Sequence, residues 1–323
     1  MNPVFVTGPT GCIGAATVRY LLDNGVERVI GLSRRSDASR IDERLRDRIT
    51  LIAGDVTDIG MIRDVLREHQ PSQIIHLAAF QTPDCDALPL GGLQVNVGGT
   101  MALLQAASEC SEQLQKMVFA SSAAVYGPRS MYDTSGVATS SAMSPPNLYG
   151  YWKVAGEGMA QAFHHETGIA TVSLRLATTY GPGRDQGLTA APTTALKAVA
   201  AGRPFRMPYE GREHYHFVDD VGAGFGQAAI EPFDGYGVFN LRGQTVEGTE
   251  FLRIVRDVAA ELEISPVDVD IDDGVVANLF VCDLDDEATR QAFPKMPLTT
   301  LRDGIRRSLV YFTDLERSNQ SDS

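Results

Sequence analysis

The chain has 323 residues, 43% of them hydrophobic and 21% charged, with 28 basic residues against 41 acidic ones and a formal net charge of −13. That length supports one large domain or two modest ones around a well-buried core. The acidic balance argues against nucleic-acid binding, which needs basic surface to displace counterions from phosphates, and leaves room only for a local basic pocket around one phosphorylated ligand.

The N-terminus runs directly into strand-like Val4-Phe5-Val6, without a basic region followed by a long apolar stretch. No apolar run is long enough to span a bilayer. The expectation is a cytoplasmic protein that does not contact membranes. Cys12, Cys85, Cys110 and Cys282 form no CxxC pair and have no His at metal-ligand spacing. They read as buried small hydrophobes in a reducing compartment, with no metal site.

In chain order, strand-like Val4–Val6 precedes a helix over Ala15–Asn24, then strands over Val29–Leu32 and Ile49–Ala53. A helix at Met61–His69, a strand at Ile74–Ala78, a helix near Val95–Glu109 and a strand at Met117–Ser121 follow. A helix over Tyr149–Thr167 and a strand over Ala170–Leu176 close this half. Strands alternating with helices imply βαβ units, hence an α/β fold with a doubly wound parallel sheet. The second half is less regular, with a helix near Thr193–Ala201, a strand at Val238–Leu241 and a helix at Gly248–Glu261. The Asp-rich stretches Asp268–Asp273 and Asp283–Glu287 lack calcium-loop spacing and read as solvated surface. The polar residues Asp314–Ser323 are expected to be disordered.

The first turn reads Thr7-Gly8-Pro9-Thr10-Gly11-Cys12-Ile13-Gly14. Glycines at 8, 11 and 14 allow a tight turn, close approach of backbone to a pyrophosphate, and close helix–strand packing, while the helix N-terminus offers free N–H groups. Glycine patterns also occur in ordinary turns; a strand before and a helix after are what this motif requires, and both are predicted here. At the end of the second strand, Ser33 stands where an acid would accept hydrogen bonds from a ribose hydroxyl, and Arg34 and Arg35 follow. Guanidinium groups suit a 2′-phosphate, so NADP is favoured over NAD, the alternative being that both arginines are plain surface charges. Asp55-Val56 is placed to contact adenine, or Asp55 is a turn residue.

Tyr149 and Lys153 stand at i and i+4, on one helix face. A phenol is a poor base at neutral pH unless a nearby ammonium stabilises its phenolate; so tuned, it can exchange a proton with an alcohol. Ser122 ends a parallel strand, where ligands of open α/β sheets bind, and could orient the reacting oxygen or merely cap a turn. Tyr126 and Tyr151 are alternative phenols, but Tyr151 has Ala155 at i+4.

Together these segments resemble the extended short-chain dehydrogenase/reductase family, often called the epimerase/dehydratase family, over nearly the whole chain. Its marks are Gly8/Gly11/Gly14, Asp55-Val56, His76-Leu77-Ala78-Ala79, Asn96 through Thr100, Ser122 through Gly127, Tyr149/Lys153 with Glu157, Arg175, Tyr180-Gly181-Pro182-Gly183 and His216 through Val221. The resemblance implies Tyr149 as acid/base, Lys153 as pKa shifter and ribose binder, Ser122 as donor to the substrate oxygen and Asn96 as support. It places the cofactor on Gly8, Thr10, Gly11, Cys12, Ile13, Gly14, Ser33, Arg34, Arg35, Asp55, Val56, Leu77, Ala78 and Ala79, and the substrate near Phe80, Gln81, Ala123, Thr178 and Arg212. It implies a Rossmann domain over 1–181 with returning segments near 214–245. A smaller C-terminal substrate domain takes 182–213 and 246–313, and two helices per subunit pair in a homodimer.

This chain departs from its nucleotide-sugar relatives. Ala123-Ala124 replaces the Asp-Glu that dehydratases carry after the active-site hydroxyl, Ser33-Arg34-Arg35 replaces the acid of NAD-binding epimerases, and Thr178 stands in place of Asn. Arg212 and His214 are candidates for an anionic group, or for surface and turn roles. The sequence therefore points to an NAD(P)-dependent oxidoreductase acting at a secondary alcohol or ketone of a sugar-like or other small substrate. The alternatives are an epimerase that holds its cofactor and a non-catalytic NADP sensor. Specificity is expected in Phe80–Leu93, Arg129–Asn147 and Leu188–Tyr215.

Overall fold

The computed structural model describes residues 3–321 apart from 36, 111, 133–134, 188 and 276–280. Leu188 and 133–134, inside the expected specificity segments, therefore lie outside the described residues, as do the last two residues of the tail.

The first half alternates as expected: β1 (Val4–Thr7), α1 (Cys12–Asp23), β2 (Val29–Ser33), β3 (Ile49–Ala53), α2 (Ile59–His69) and β4 (Gln73–His76). Two short helices, α3 (Thr82–Ala87) and α4 (Pro89–Leu93), lead through a π-helical turn at Gln94–Gly99 into α5 (Thr100–Cys110) and β5 (Lys116–Ser122). Then come α6 (Leu148–Thr167) and β6 (Ala170–Leu176). The second half holds β7 (Thr178–Tyr180), α7 (Ala191–Ala200), β8 (Phe205–Met207), β9 (Arg212–Phe217), α8 (Val218–Ile230) and β10 (Tyr236–Asn240). It ends with β11 (Gln244–Glu247), α9 (Gly248–Glu261), β12 (Val269–Ile271), α10 (Glu287–Ala292) and α11 (Leu301–Ser321).

The main sheet is parallel in the order β10-β6-β5-β4-β1-β2-β3. Strand order reverses between β1 and β4, which opens a crevice at the carboxyl ends of these strands. The pleat sorts β1 by face: Val4 and Val6 pack with Val18, Leu21 and Phe225 of α1 and α8, while Phe5 packs with Ile62, Leu66 and Leu103 of α2 and α5. Burial on both faces is what the near-continuous apolar strands require. A second core gathers Tyr180, Tyr215, Phe251, Leu252, Ile305 and Phe312 beneath a small sheet in the order β11-β9-β7, with Tyr215 stacked on Phe251 at 4.8 Å.

Beyond the short α3, α4 and α10, two longer helices were not legible in the sequence pattern. In α8, Gly222, Gly224 and Gly226 lower intrinsic helix propensity, yet they admit neighbours. A Cβ on Gly222 would lie 2.5 Å from the Ala16 carbonyl carbon, and one on Gly226 would lie 2.3 Å from the Tyr20 ring. Close packing on α1 outweighs propensity. The polar tail expected to be disordered is instead the end of α11, which continues helical through Ser321. Leu301, Ile305, Leu309 and Phe312 anchor one face of that helix in the second core, and no Gly or Pro interrupts the residues that follow. Nor is the second acidic stretch plain surface: Asp283, at φ 55°, pairs with both Arg129 and Arg212.

Three histidines are buried within strands or at their ends. His76 bonds Thr7 and Thr100, His214 bonds Thr245, and His216 accepts from the Ala177 amide and bonds the Arg242 carbonyl. Burial disfavours the imidazolium, pushing His76 down to about 3, His214 to about 4 and His216 to about 3. The unfolded chain takes up these protons near pH 6.5 while the native state does not, so stability is intact above that pH and falls as pH drops toward 3–4. Each imidazole costs about 2 kcal/mol by pH 5. The melting temperature is therefore expected to fall between pH 7 and 5, and His214→Gln to flatten that slope relative to its own value at pH 7. An unchanged slope would locate the pH sensitivity elsewhere.

Candidate active site

The loop after β1 is shaped by its glycines. Gly8 adopts φ 72°, and a Cβ on Gly14 would lie 2.0 Å from the Gly8 carbonyl oxygen, so α1 starts hard against the turn. Gly11 caps α1 without a side-chain bond, and the first turn carries no acid. A Cβ on Gly11 would meet nothing closer than the Gly8 carbonyl oxygen at 3.5 Å. Gly11 is exposed and Cys12 and Ile13 are half-buried, so the positive dipole end of α1 with its free first N–H groups lies near the surface, an arrangement that fits a pyrophosphate. Thr7 fixes the other wall: its hydroxyl accepts from the Leu77 and Ala78 amides at 3.2 Å each and bonds His76 Nδ1 at 2.7 Å. Thr100 donates to the Asn96 carbonyl, so its oxygen receives the His76 Nε2 proton, and Nδ1 accepts from Thr7.

At the end of β2, Ser33 bonds Thr10 Oγ1 at 3.0 Å. Arg34 is exposed and lies 5.3 Å from the centroid of the Phe80 ring. Arg35 is exposed too, and among the described residues neither guanidinium pairs with a carboxylate. Asp55 takes the turn role, accepting from the Thr57 amide at 2.9 Å and its hydroxyl at 2.8 Å. Val56 packs against Gly99.

Asn96, buried in the π-helical turn, accepts from the Phe80 amide at 2.7 Å and donates to the Phe80 carbonyl at 3.0 Å. It pins the segment after β4 and stands one step back from the reacting groups. π turns recur at functional sites because they redirect a side chain within a helix.

The Tyr149 helix meets the end of β5 through Gly150. A Cβ there would lie 2.2 Å from the Ala124 carbonyl oxygen. Its absence lets α6 rest on the 3₁₀ turn Ala123–Val125, which Ser122 caps by accepting from the Ala124 amide at 3.1 Å. Asn147 starts α6 by accepting from the Gly150 amide at 3.0 Å. Lys153 is buried and donates to the Ala120 carbonyl at 2.7 Å, with Nζ 5.1 Å from the Phe119 centroid and 5.5 Å from that of Tyr149. Burial brings the Lys153 ammonium down to about 8. Burial also pushes the Tyr149 phenol up to about 12, opposed first by a hydrogen bond from Ser122 and then by the Arg184 charge.

Two helical turns after Tyr149, Glu157 forms a bidentate pair with Arg175 of β6 at 2.8 and 2.7 Å, 5% and 3% exposed, and accepts from Ser121 at 2.5 Å. Arg175 also donates to the Tyr126 hydroxyl, which donates to Asn240 at 2.8 Å. Tyr126 is thereby consumed in a buried network, and Tyr151 is 57% exposed. Tyr126 and Tyr149 both line the crevice and Tyr151 does not; of the two, the Tyr126 hydroxyl is committed to Arg175 and Asn240.

A cavity of about 200 Å³ joins these parts. Ile13, Leu77 and Ala79 line one side, Ser122, Ala123, Tyr149 and Lys153 the centre, and Gln81 and Thr178 the far side. Phe80 stands behind it, under Arg34. Arg212 does not reach it: this expected substrate residue is exposed and spends its guanidinium on Asp283 at 3.0 and 2.8 Å. His214 is buried beside His216, ring centroids 5.0 Å apart. Thr189, from the expected specificity segment Leu188–Tyr215, lines the wall, and sequence reasoning missed Arg184, Thr179 and Val281 there. Arg184 was signalled by its place directly after Tyr180-Gly181-Pro182-Gly183; Val281 carried no signal, since only the tertiary fold brings it here.

With this geometry in view, residues 4–241 match the model of the NAD dependent epimerase/dehydratase family. The chain belongs to that family, an extended short-chain dehydrogenase/reductase group with a Rossmann fold. It is 28% identical over 230 residues to the dTDP-glucose 4,6-dehydratase of Xanthomonas campestris pv. campestris (strain B100), covering 67% of this chain and 64% of that protein. The match thus spans less than two thirds of that relative's length. Its fold is like that of UDP-glucose 4-epimerase from Thermotoga maritima with UDP-glucose, at TM-score 0.82 and 22% identity over 97% of this chain and 99% of that one. It is also like MoeE5 in complex with UDP-glucuronic acid and NAD, at TM-score 0.78 and 25% identity over 98% of this chain and 100% of that one.

The fit at Gly150 sets how α6 rests on the turn after Ser122, so Gly150→Ala should displace the start of α6 and Tyr149 with it. Displacements near 1 Å cost roughly 10²-fold in turnover. We expect that loss with dinucleotide affinity retained, measured by steady-state rates and fluorescence titration; wild-type turnover would show that the contact does not position the phenol.

Proposed function

We propose that the protein is an NAD(P)-dependent oxidoreductase that moves a hydride at a secondary alcohol or ketone of a sugar-like substrate, with Tyr149 as proton donor and acceptor. The observation that carries this is the Tyr149 phenol beside Ser122, at the carboxyl edge of the sheet and in the same cavity as the open α1 N-terminus. The glycine loop, Leu77–Ala79 and Lys153 would hold the cofactor, which supplies the hydride acceptor or donor. Ser122 orients the substrate oxygen, and Tyr149 takes or returns its proton. Burial leaves the phenol too basic for that work; Lys153 sets a cation over its ring, and the positive charge of a bound nicotinamide would lower it. Residues 182–213 and 246–313 form the substrate side of the crevice.

A dehydratase is disfavoured although several relatives bear that name: among the described lining residues none is Asp or Glu, and Ala123-Ala124 lies beside Ser122. The second reading, an epimerase that retains its cofactor, draws support from the epimerase fold likeness. Nicotinamide that survives dialysis, with activity in the absence of added cofactor, would select it. Exposed Leu90, Leu93, Met101, Leu148 and Tyr151 on α4, α5 and α6 support a homodimer through this face.

A cofactor-reduction screen over sugars, sugar acids and polyols with both dinucleotides tests the assignment. Tyr149→Phe should lose roughly 10²–10⁴-fold in turnover while still binding dinucleotide. Unchanged biological activity would instead support a sensor.

NADP is the preferred cofactor in this proposal. Ser33 places no carboxylate at the end of β2, and Arg34 is free of carboxylate partners among the described residues and held over Phe80. Arg34→Ala should then weaken NADP binding by roughly tenfold and leave NAD binding nearly unchanged. Activity with NAD alone would overturn the preference.

A further inference from the structure

Arg184 sits in the loop between β7 and α7, in the wall of the catalytic cavity, where proton exchange at Tyr149 does not call for a second cation. Its Nη1 donates to Gln81 Oε1 at 3.1 Å and its Nη2 to Thr189 Oγ1 at 3.1 Å, while Nε is buried without a hydrogen-bond partner. Among the described residues no carboxylate pairs with it. The adjacent Asp185 is engaged by Arg40 and Lys197 instead. The ionisable groups that act on Arg184 are the Cys12 thiol and the Tyr149 and Tyr209 phenols, and burial holds it below the usual guanidinium range. A half-buried guanidinium bonded only to a neutral amide and a hydroxyl, with its buried Nε–H unmet, is costly unless an anion joins it.

The loop is built to keep it there. Gly181, Gly183 and Gly187 adopt φ of 119°, 86° and 101°, which side-chain-bearing residues rarely do. A Cβ on Gly187 would lie 2.3 Å from Gln81 Oε1, the atom that receives Arg184. A guanidinium presents a planar fork matched to carboxylate and phosphate oxygens.

We infer that Arg184 is the oxyanion receptor of this cavity, binding a carboxylate or phosphate group of a ligand held beside Tyr149. The inference rests on the oxidoreductase proposal. Because Arg184 faces both Tyr149 and Cys12 of the glycine loop, the oxyanion belongs either to an acidic substrate or to the phosphate of the dinucleotide.

Full-length wild type, Arg184→Gln and Arg184→Lys are first titrated with NADPH and NADH, followed by quenching of Trp152, the one tryptophan of the chain. The dinucleotide-saturated proteins are then titrated calorimetrically with D-glucuronate and D-glucose, a pair that differs by the carboxylate. An acidic substrate predicts that wild type prefers glucuronate by about tenfold, that Arg184→Gln erases the preference and that Arg184→Lys keeps part of it. A cofactor phosphate predicts instead that Arg184→Gln weakens dinucleotide binding by about tenfold with no preference between the sugars. The receptor is overturned if Arg184→Gln changes neither dinucleotide affinity nor the glucuronate-to-glucose ratio by more than about twofold. Wild-type protein that binds neither dinucleotide would fail already in the first titration, overturning the oxidoreductase proposal and the receptor with it.

Discussion

Helix α6 reaches the end of β5 because Gly150 has no side chain, and a Cβ there would overlap the Ala124 carbonyl. That contact brings Tyr149 into the cavity that Ser122 also lines. It also sets Lys153 one turn on, where its ammonium meets the Ala120 carbonyl. Glu157 follows another turn later, locked to Arg175 of the next strand. One face of α6 thus carries the Tyr149 phenol, its neighbouring cation and the ion pair that ties the helix to the sheet. A buried pair of this kind adds little net stability over a hydrophobic replacement, but losing one partner leaves a bare charge inside the protein. Its value here is geometric.

Electrostatically, the crevice is a region of suppressed charge. Burial raises the Tyr149 phenol, lowers the Lys153 ammonium and keeps His76 neutral. Arg184 departs from this pattern, a cation in the wall without a carboxylate beside it among the described residues. Such a site gains most from a ligand that brings charge of its own, since the low dielectric that makes isolated groups costly also strengthens each pairing once formed.

The two halves of the chain meet through small residues. Gly222 and Gly226 let α8 lie on α1, the helix whose N-terminus forms the floor of the glycine loop. Asp220, in the first turn of α8, accepts from the Thr299 amide and hydroxyl and so fastens the segment leading into α11. The second core is therefore anchored to the same helix pair that positions the cofactor side of the crevice.

The sequence by itself determined the alternation of strands and helices from Val4 to Leu176, the glycine turn and the Tyr149–Lys153 pair, because these depend on local periodicity and spacing. It did not reveal α8, whose glycines favour a turn until α1 is beside them, nor α11, whose polar end at 314–323 was expected to be disordered. Tertiary structure alone decided which charged groups face the cavity. Arg212 looked free in sequence, but Asp283 claims it from 71 positions away. Arg184 was not singled out in the sequence, but positive φ at three glycines and the amide of Gln81 turn it inward. Partners so distant in the chain leave no periodic trace, and an ion pair is settled only when folding brings both charges to one place.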